Sequence, residues 1–236
     1  MAESPTARGV WTPGAVLLDA MGTILRMVPP APELHRRLRD AGHAHTRGAV
    51  EAALRREIVY YRANHMRGGD ARGLRDLRLE CARVVGAALG DDVPPPAQLA
   101  ELLVGSIRFE LMPDTRPALV ELERAGVRAA VVSNWDISLM DVLDELGIAG
   151  YFHTVCISAV MGVAKPDPMI FHAALRRLGV TADRAVHCGD DPAIDVRGAL
   201  AAGIRPLLVD RSRPLVEGDH LRIRSLAQLT SLEEAP

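Results

Sequence analysis

Few side chains in this 236-residue chain have the chemistry and placement to do covalent work, and they recur in one order. A short apolar run ends in Asp19-Ala20-Met21-Gly22-Thr23, and a second ends in Ser133-Asn134. Lys165-Pro166-Asp167-Pro168 follows, and a later run ends in Gly189-Asp190-Asp191, with Asp195 soon after. A carboxylate such as Asp19 can attack an electrophilic phosphorus or carbon and form a covalent intermediate. The Ser133 hydroxyl and the backbone N–H groups around Asn134, at the start of a helix, suit an anion. Lys165 supplies a compact ammonium that neutralises charge on the nucleophile and the transferred group. Of the 28 cationic residues 27 are arginine, so Lys165 is the single lysine, and a guanidinium fork would not replace it geometrically. Asp190 and Asp195 with Asp19 form a hard-oxygen set suited to Mg²⁺.

These residues converge only if the apolar runs are neighbouring strands. The runs are 15–18, 127–132, 155–158, 185–188 and 204–209, apolar throughout rather than alternating, as in strands covered on both faces of a parallel sheet. Between them Leu139, Val142, Leu143 and Leu146 repeat at helical spacing, as do Phe171, Ala174, Leu175 and Leu178, with Gly147, Gly179 and Gly203 where those helices should stop. The alternation predicts a doubly wound α/β core, in which ligands bind beyond the carboxyl ends of the strands. From about Pro29 to Glu110 the pattern breaks. No strand is evident there, Leu74, Leu77, Cys81, Val84 and Ala88 mark an amphipathic helix, and prolines punctuate the segment. The expected organisation is a flexible tail over 1–14, a Rossmann-like core over 15–28 and 111–236, and a small all-helical domain over 29–110.

Asp-x-x-Gly-Thr at Asp19, Ser133-Asn134, Lys165-Pro166-Asp167-Pro168-Met169-Ile170-Phe171, and Gly189-Asp190-Asp191 through Asp195 to Gly198-Ala199 together resemble the haloacid dehalogenase superfamily. The resemblance runs from about Ala15 to Val209, and the helical insert stands where that family carries a cap. It implies Asp19 as nucleophile and Lys165 as charge-stabilising cation, with Asp195 as a second acid supporting metal or lysine. It implies Asp190 and the Met21 backbone carbonyl, with Asp19, as ligands of Mg²⁺. Thr23, Ser133 and Asn134 are its expected substrate-binding residues, Ser133 holding phosphate.

The family's phosphatases carry a second aspartate, the general acid and base, where this chain has Met21. Loss of such help typically costs roughly 10²- to 10⁴-fold in rate. Three readings follow. The first is a Mg²⁺-dependent phosphatase acting on a small phosphorylated metabolite that has a good leaving group, or using another acid such as Asp136. The second is a 2-haloacid dehalogenase-type hydrolase; those enzymes lack the second aspartate, but they usually place tyrosine at this position and a less acidic motif where this chain keeps its aspartates. The third is a binding or regulatory protein that retains the fold without turnover. The first is preferred because the acidic motif is retained. Phosphonoacetaldehyde-type hydrolysis, which needs a cap lysine, is excluded by composition.

A net charge of −2 and 3% aromatic residues offer neither field nor stacking platform to nucleic acid. No apolar run approaches the roughly 20 residues of a membrane helix, and three widely spaced cysteines fit a reducing, cytoplasmic setting. The opening stretch lacks the apolar region of a signal peptide. His43 and His45 read as a solvated loop. Trp135 reads as pocket lining or packing, and one of Tyr60 and Tyr61 is expected to face the pocket. The nine arginines against five acids between Arg47 and Arg83 read as a solvated helix face before an anion grip. Neither substrate identity nor oligomeric state has a signature.

Overall fold

Ala15-Val16-Leu17-Leu18 is buried along its whole length because the strand it forms lies at the centre of a six-stranded sheet. A computed structural model describes residues 10–212, 221–230 and 232–233. The strands are β1 (Val10–Trp11), β2 (Ala15–Leu18), β3 (Leu25–Val28), β4 (Arg108–Leu111), β5 (Arg128–Ser133), β6 (Thr154–Ile157), β7 (Ala185–Gly189), β8 (Arg205–Val209), β9 (Arg222–Ile223) and β10 (Leu232–Glu233). The helices are α1 (Ala31–Asp40), α2 (Arg47–Asn64), α3 (Ala71–Leu89), α4 (Pro96–Val104), α5 (Thr115–Arg124), α6 (Leu139–Glu145), α7 (Ser158–Met161), α8 (Pro168–Leu178) and α9 (Arg197–Ala201).

The main sheet is parallel throughout, in the order β6-β5-β2-β7-β8-β9. Side chains alternate across it with the two-residue period of a strand. Val16 and Leu18 join Leu119, Leu122, Leu139 and Leu143 on the face covered by α5 and α6. Ala15 and Leu17 join Phe171, Leu175 and Leu178 on the face covered by α8 and α9. The α/β reading of the sequence is therefore the observed architecture. With β5 on one side of β2 and β7 on the other, the carboxyl ends of these three strands open onto a common crevice.

The first four helices form the small all-helical cap, with its own core around Leu34, Leu38, Val50, Leu77, Val85 and Leu99. On α3 the buried stripe is Leu74, Leu77, Cys81 and Val85, one residue rotated from the expected Val84. A two-stranded antiparallel ribbon, β3 against β4, carries the chain into and out of the cap. Here the structure corrects the expectation that no strand lies between 29 and 110. Arg108-Phe109-Glu110-Leu111 alternates exposed and half-buried residues, the pattern of a short ribbon strand, and Arg26 pairs with Glu110 across it at 2.7 Å.

The expected 1–14 tail is also modified. Residues 1–9 lie outside the described residues, but Val10–Trp11 pair antiparallel with Leu232–Glu233. A partner almost a full chain length away gives the local sequence no periodic signal.

Candidate active site

Asp19 leaves the end of β2 with its backbone N–H donated to the Cys188 carbonyl of the neighbouring strand at 2.9 Å. The chain then turns tightly, the Thr23, Ile24 and Leu25 amides all converging on the Ala20 carbonyl. The turn needs Gly22, whose φ is +83° and on which a Cβ would stand 2.1 Å from Asp190 Oδ2. Ser133, the last residue of β5, donates its hydroxyl to Asp19 Oδ1 at 3.1 Å. Lys165 Nζ donates to the same oxygen at 2.6 Å and to Asp195 Oδ1 at 2.6 Å. Asp19 Oδ2 accepts no hydrogen bond among the described residues, and the side chain reaches the cleft.

Asp195 sits on a π-helical turn, Pro192–Val196, that Asp191 starts by accepting the Ala193 and Ile194 amides. A Cβ on Gly189 would stand 2.1 Å from the Asp195 carboxyl carbon, so glycine there admits the close approach. Asp195 Oδ2 accepts the Asp191 amide at 3.1 Å. Its Oδ1, beside Lys165, also lies 3.0 Å from His187 Nε2, and because a carboxylate only accepts, the imidazole donates. His187 was not singled out in the sequence. A polar residue in the wholly buried run Ala185–Gly189 requires a partner, and that was the available signal.

Asp19, Asp190 and Asp195 each place a carboxylate oxygen within 4.8 Å of the others. Burial, and then the negative charge of Asp19 and Asp195, push the Asp190 carboxyl up to about 6. Burial is also the main cause of the upward shift of Asp19, with Lys165 opposing it. At Asp195 burial disfavours the charge, but His187 and Lys165 outweigh it and hold the carboxyl well below the usual range. At Lys165 burial works against the ammonium, and Asp19 with Asp195 outweighs that too, so its pKa lies above the ordinary value. Three carboxylates and one ammonium leave surplus negative charge, and the donor set is all oxygen. Both properties fit a small hard cation such as Mg²⁺.

The other expected site residues divide. Met21 is half-buried and lines the cleft, packed against the core on the α5–α6 side of the sheet. Asn134 lines the cleft, and both polar ends of its side chain are engaged. Its Oδ1 accepts the Lys165 amide at 2.8 Å and its Nδ2 donates to the Lys165 carbonyl at 2.9 Å. Thr23 is fully buried and outside the cleft lining, because the turn after Ala20 points it inward; its hydroxyl has no partner among the described residues.

Asp136 lines the cleft, yet both its oxygens are engaged, Oδ2 by the Tyr61 hydroxyl and Oδ1 by the Ser138 amide, each at 2.8 Å. It ties cap to core, as do the Gly68 carbonyl with the Ile137 amide at 2.9 Å and His65 with Ser158 at 3.1 Å. Tyr61 is thus the tyrosine that faces the pocket. Trp135 both lines the cleft and packs, edge to face with Phe109 at 5.1 Å. His43 pairs with Asp92 at 2.9 Å, while His35 contacts the His45 carbonyl.

The cleft between cap and core measures about 1120 Å³. One stripe of α2, with Arg47, Leu54, Ile58, Tyr61 and Arg62 at helical spacing, forms much of its upper wall. The arginine-rich face read as solvated therefore borders the site. Among the described residues no helix is long and apolar enough to cross a membrane.

A family profile described as haloacid dehalogenase-like hydrolase matches residues 13–203. Haloacid dehalogenase-like hydrolase domain-containing protein 3 of Mus musculus is 31% identical over 210 residues, covering 84% of this chain and 82% of the relative. Glyceraldehyde 3-phosphate phosphatase of Methanopyrus kandleri is 32% identical over 212 residues, covering 84% of each. Among solved structures, L-2-haloacid dehalogenase from Xanthobacter autotrophicus superposes with a TM-score of 0.65 over 93% of this chain and 97% of its own, at 19% identity. That last likeness is one of fold.

Proposed function

The chain belongs to the haloacid dehalogenase-like hydrolase family, and from that premise we propose that it is a Mg²⁺-dependent phosphatase of a small phosphorylated metabolite. The observation that carries this reading is the state of Asp19. One oxygen is held by Lys165 and Ser133 while the other is free toward the cleft, beside a cluster of acids that only a cation would neutralise. A phosphatase relative of comparable length supports the substrate class.

In this mechanism Asp19 Oδ2 attacks phosphorus in line with the ester oxygen, forming an aspartyl-phosphate as the P–O ester bond breaks and the alkoxide leaves to take a proton from solvent. The Lys165 ammonium and Ser133 hydroxyl hold the carboxylate in place and stabilise charge on the phosphoryl oxygens. Water then attacks phosphorus, the bond from phosphorus to Asp19 Oδ2 breaks, and the water's surplus proton passes to the departing phosphate or solvent, restoring the Asp19 carboxylate. A Mg²⁺ ion held by Asp19, Asp190 and the Met21 carbonyl would supply charge neutralisation for the phosphoryl group. Asp195, bound to Lys165 and His187, serves the lysine. Met21 gives the leaving alcohol no proton, so the proposal favours esters with good leaving groups. The buried free thiols Cys81, Cys156 and Cys188 support a cytoplasmic setting.

Met21 itself favours the second reading, carbon–halogen hydrolysis, because a departing halide needs no proton. A parallel assay separates the two: phosphate release from an activated aryl phosphate and a metabolite panel, and halide release from 2-haloacids, each with and without Mg²⁺. Mg²⁺-dependent phosphate release is the expected result. Metal-independent halide release overturns it, and silence in both arms favours a binding protein that has lost turnover.

A further inference from the structure

The cap wall of the cleft carries arginines that make no ion pair among the described residues. Arg78 of α3 is half-buried and lines the cleft, yet it makes no ion pair or side-chain hydrogen bond among the described residues. Arg62 of α2 lines the same wall, exposed, and is equally unpaired. Of the other cleft arginines, Arg47 is paired with Glu51 and Arg108 with Glu33, while Arg55 is unpaired but exposed, so Arg78 is the half-buried one without a partner. Removing a guanidinium partly from water without a partner is unfavourable, and a ligand would offset that.

The height of these two arginines follows from the hairpin of α2 and α3, closed by the turn at residues 65–70. Tyr61 of α2 packs against the cap core that includes Cys81 of α3, three residues beyond Arg78, which brings Arg78 to about the level of Tyr61 and Arg62. The Tyr61 hydroxyl reaches Asp136, three residues beyond Ser133 and its contact with Asp19. Arg62 and Arg78 thus line the same cleft that Asp19, Ser133 and Lys165 reach.

We propose that Arg78, assisted by Arg62, binds a second anionic group, a carboxylate or a phosphate, on the alcohol portion of the substrate. The substrate class is then a small phosphomonoester carrying a second anion, a specificity that rests on the phosphatase reading above. A guanidinium–anion hydrogen bond made in the transition state raises kcat/KM by roughly 10- to 100-fold.

The test compares three esters of equal carbon count: propyl phosphate, 3-phosphonooxypropanoate and propane-1,3-diol bisphosphate. The wild-type protein is expected to prefer one or both of the last two by roughly 10- to 100-fold in kcat/KM, and the larger ratio identifies the anion. Arg78→Ala brings that ratio near unity, Arg78→Lys keeps part of it, and Arg75→Ala, on the exposed side of the same helix, keeps all of it. A wild-type protein without preference overturns the proposal. So does an Arg78→Ala variant that loses all three esters alike, with the same loss on Asp141→Asn/Glu145→Gln. That pattern means Arg78 latches onto the acids of the opposite cleft wall instead. If none of these alkyl esters is hydrolysed, the phosphatase reading is judged by the activated aryl phosphate of the assay above, and it fails separately only if that ester is silent too. Calorimetric titration of the same three compounds then decides: tighter binding of the two bearing a second anion, lost in Arg78→Ala, supports the anion site, and equal affinity overturns it.

Discussion

Asn134 grips Lys165 by its main chain, its amide oxygen taking the Lys165 N–H and its amide nitrogen donating to the Lys165 carbonyl. The two bonds bring a loop 31 residues further along the chain to the end of β5 and set the direction from which the ammonium meets Asp19. Asn134→Ala is expected to lower stability by about 1–3 kcal/mol, from two lost bonds in a half-buried place, and to reduce kcat more than it raises KM. Denaturant titration and steady-state kinetics check both. A purely KM effect would return Asn134 to direct substrate binding.

Asp19→Asn is expected to abolish turnover, by roughly 10⁴-fold or more, while circular dichroism and the thermal transition show a folded protein. The amide keeps the shape and an oxygen that can accept from Lys165. Retained activity would remove Asp19 from the mechanism.

Met21→Asp is expected to raise kcat on unactivated alkyl phosphates by up to about 10²-fold and to change activated aryl phosphates much less, because only poor leaving groups require a proton. Met21 already lines the cleft, so a carboxyl can stand there without rearranging the core. Lower activity on every ester would show that the thioether serves another purpose.

Gly22→Ala is expected to weaken Mg²⁺ binding at least about tenfold and to destabilise the protein by roughly 1–2 kcal/mol. The backbone there is left-handed, and the new methyl group would displace the Asp190 carboxylate. Magnesium titration followed by thermal shift measures both effects. Unaltered affinity would argue against Asp190 as a ligand.

Asp190 gives the pH dependence its sign. Its carboxyl is raised to about 6 in the folded, metal-free protein, against roughly 3.9 in an unfolded chain. Ionising it therefore costs stability as pH rises from about 4 through 6, and a cation relieves that cost. Asp19 shifts in the same direction and adds to the effect, whereas Asp195, held low, stays ionised across this range. The stabilisation by Mg²⁺ is expected to grow from pH 5 to pH 7 and then level off. Thermal-shift titrations at fixed metal concentration test this, and a pH-independent stabilisation would count against a metal at these acids.

Much of the arrangement was legible because connectivity and strand burial constrain it. Apolar runs of strand length, bounded by glycines and alternating with helical patterns, fit strands of a sheet covered on both faces, and polar residues at their carboxyl ends then share one edge. That logic brings Asp19, Ser133 and Asp190 together without coordinates, and the order of the motifs adds Lys165, although Lys165 and Asp19 are 146 residues apart. Lys165 also stood out by being the chain's one lysine. The tertiary structure alone decided which partner each polar group takes and which way each element faces. Thr23 and Met21 are two residues apart, and a single turn buries one and presents the other to the cleft. Asn134 found the Lys165 backbone, and His187 found Asp195, because hydrogen bonds are chosen by distance and direction in space. The arginines of α2 and α3 read alike in sequence, but rotation about each helix axis, set by core packing, points some at solvent and others, Arg47, Arg55, Arg62 and Arg78, at the cleft.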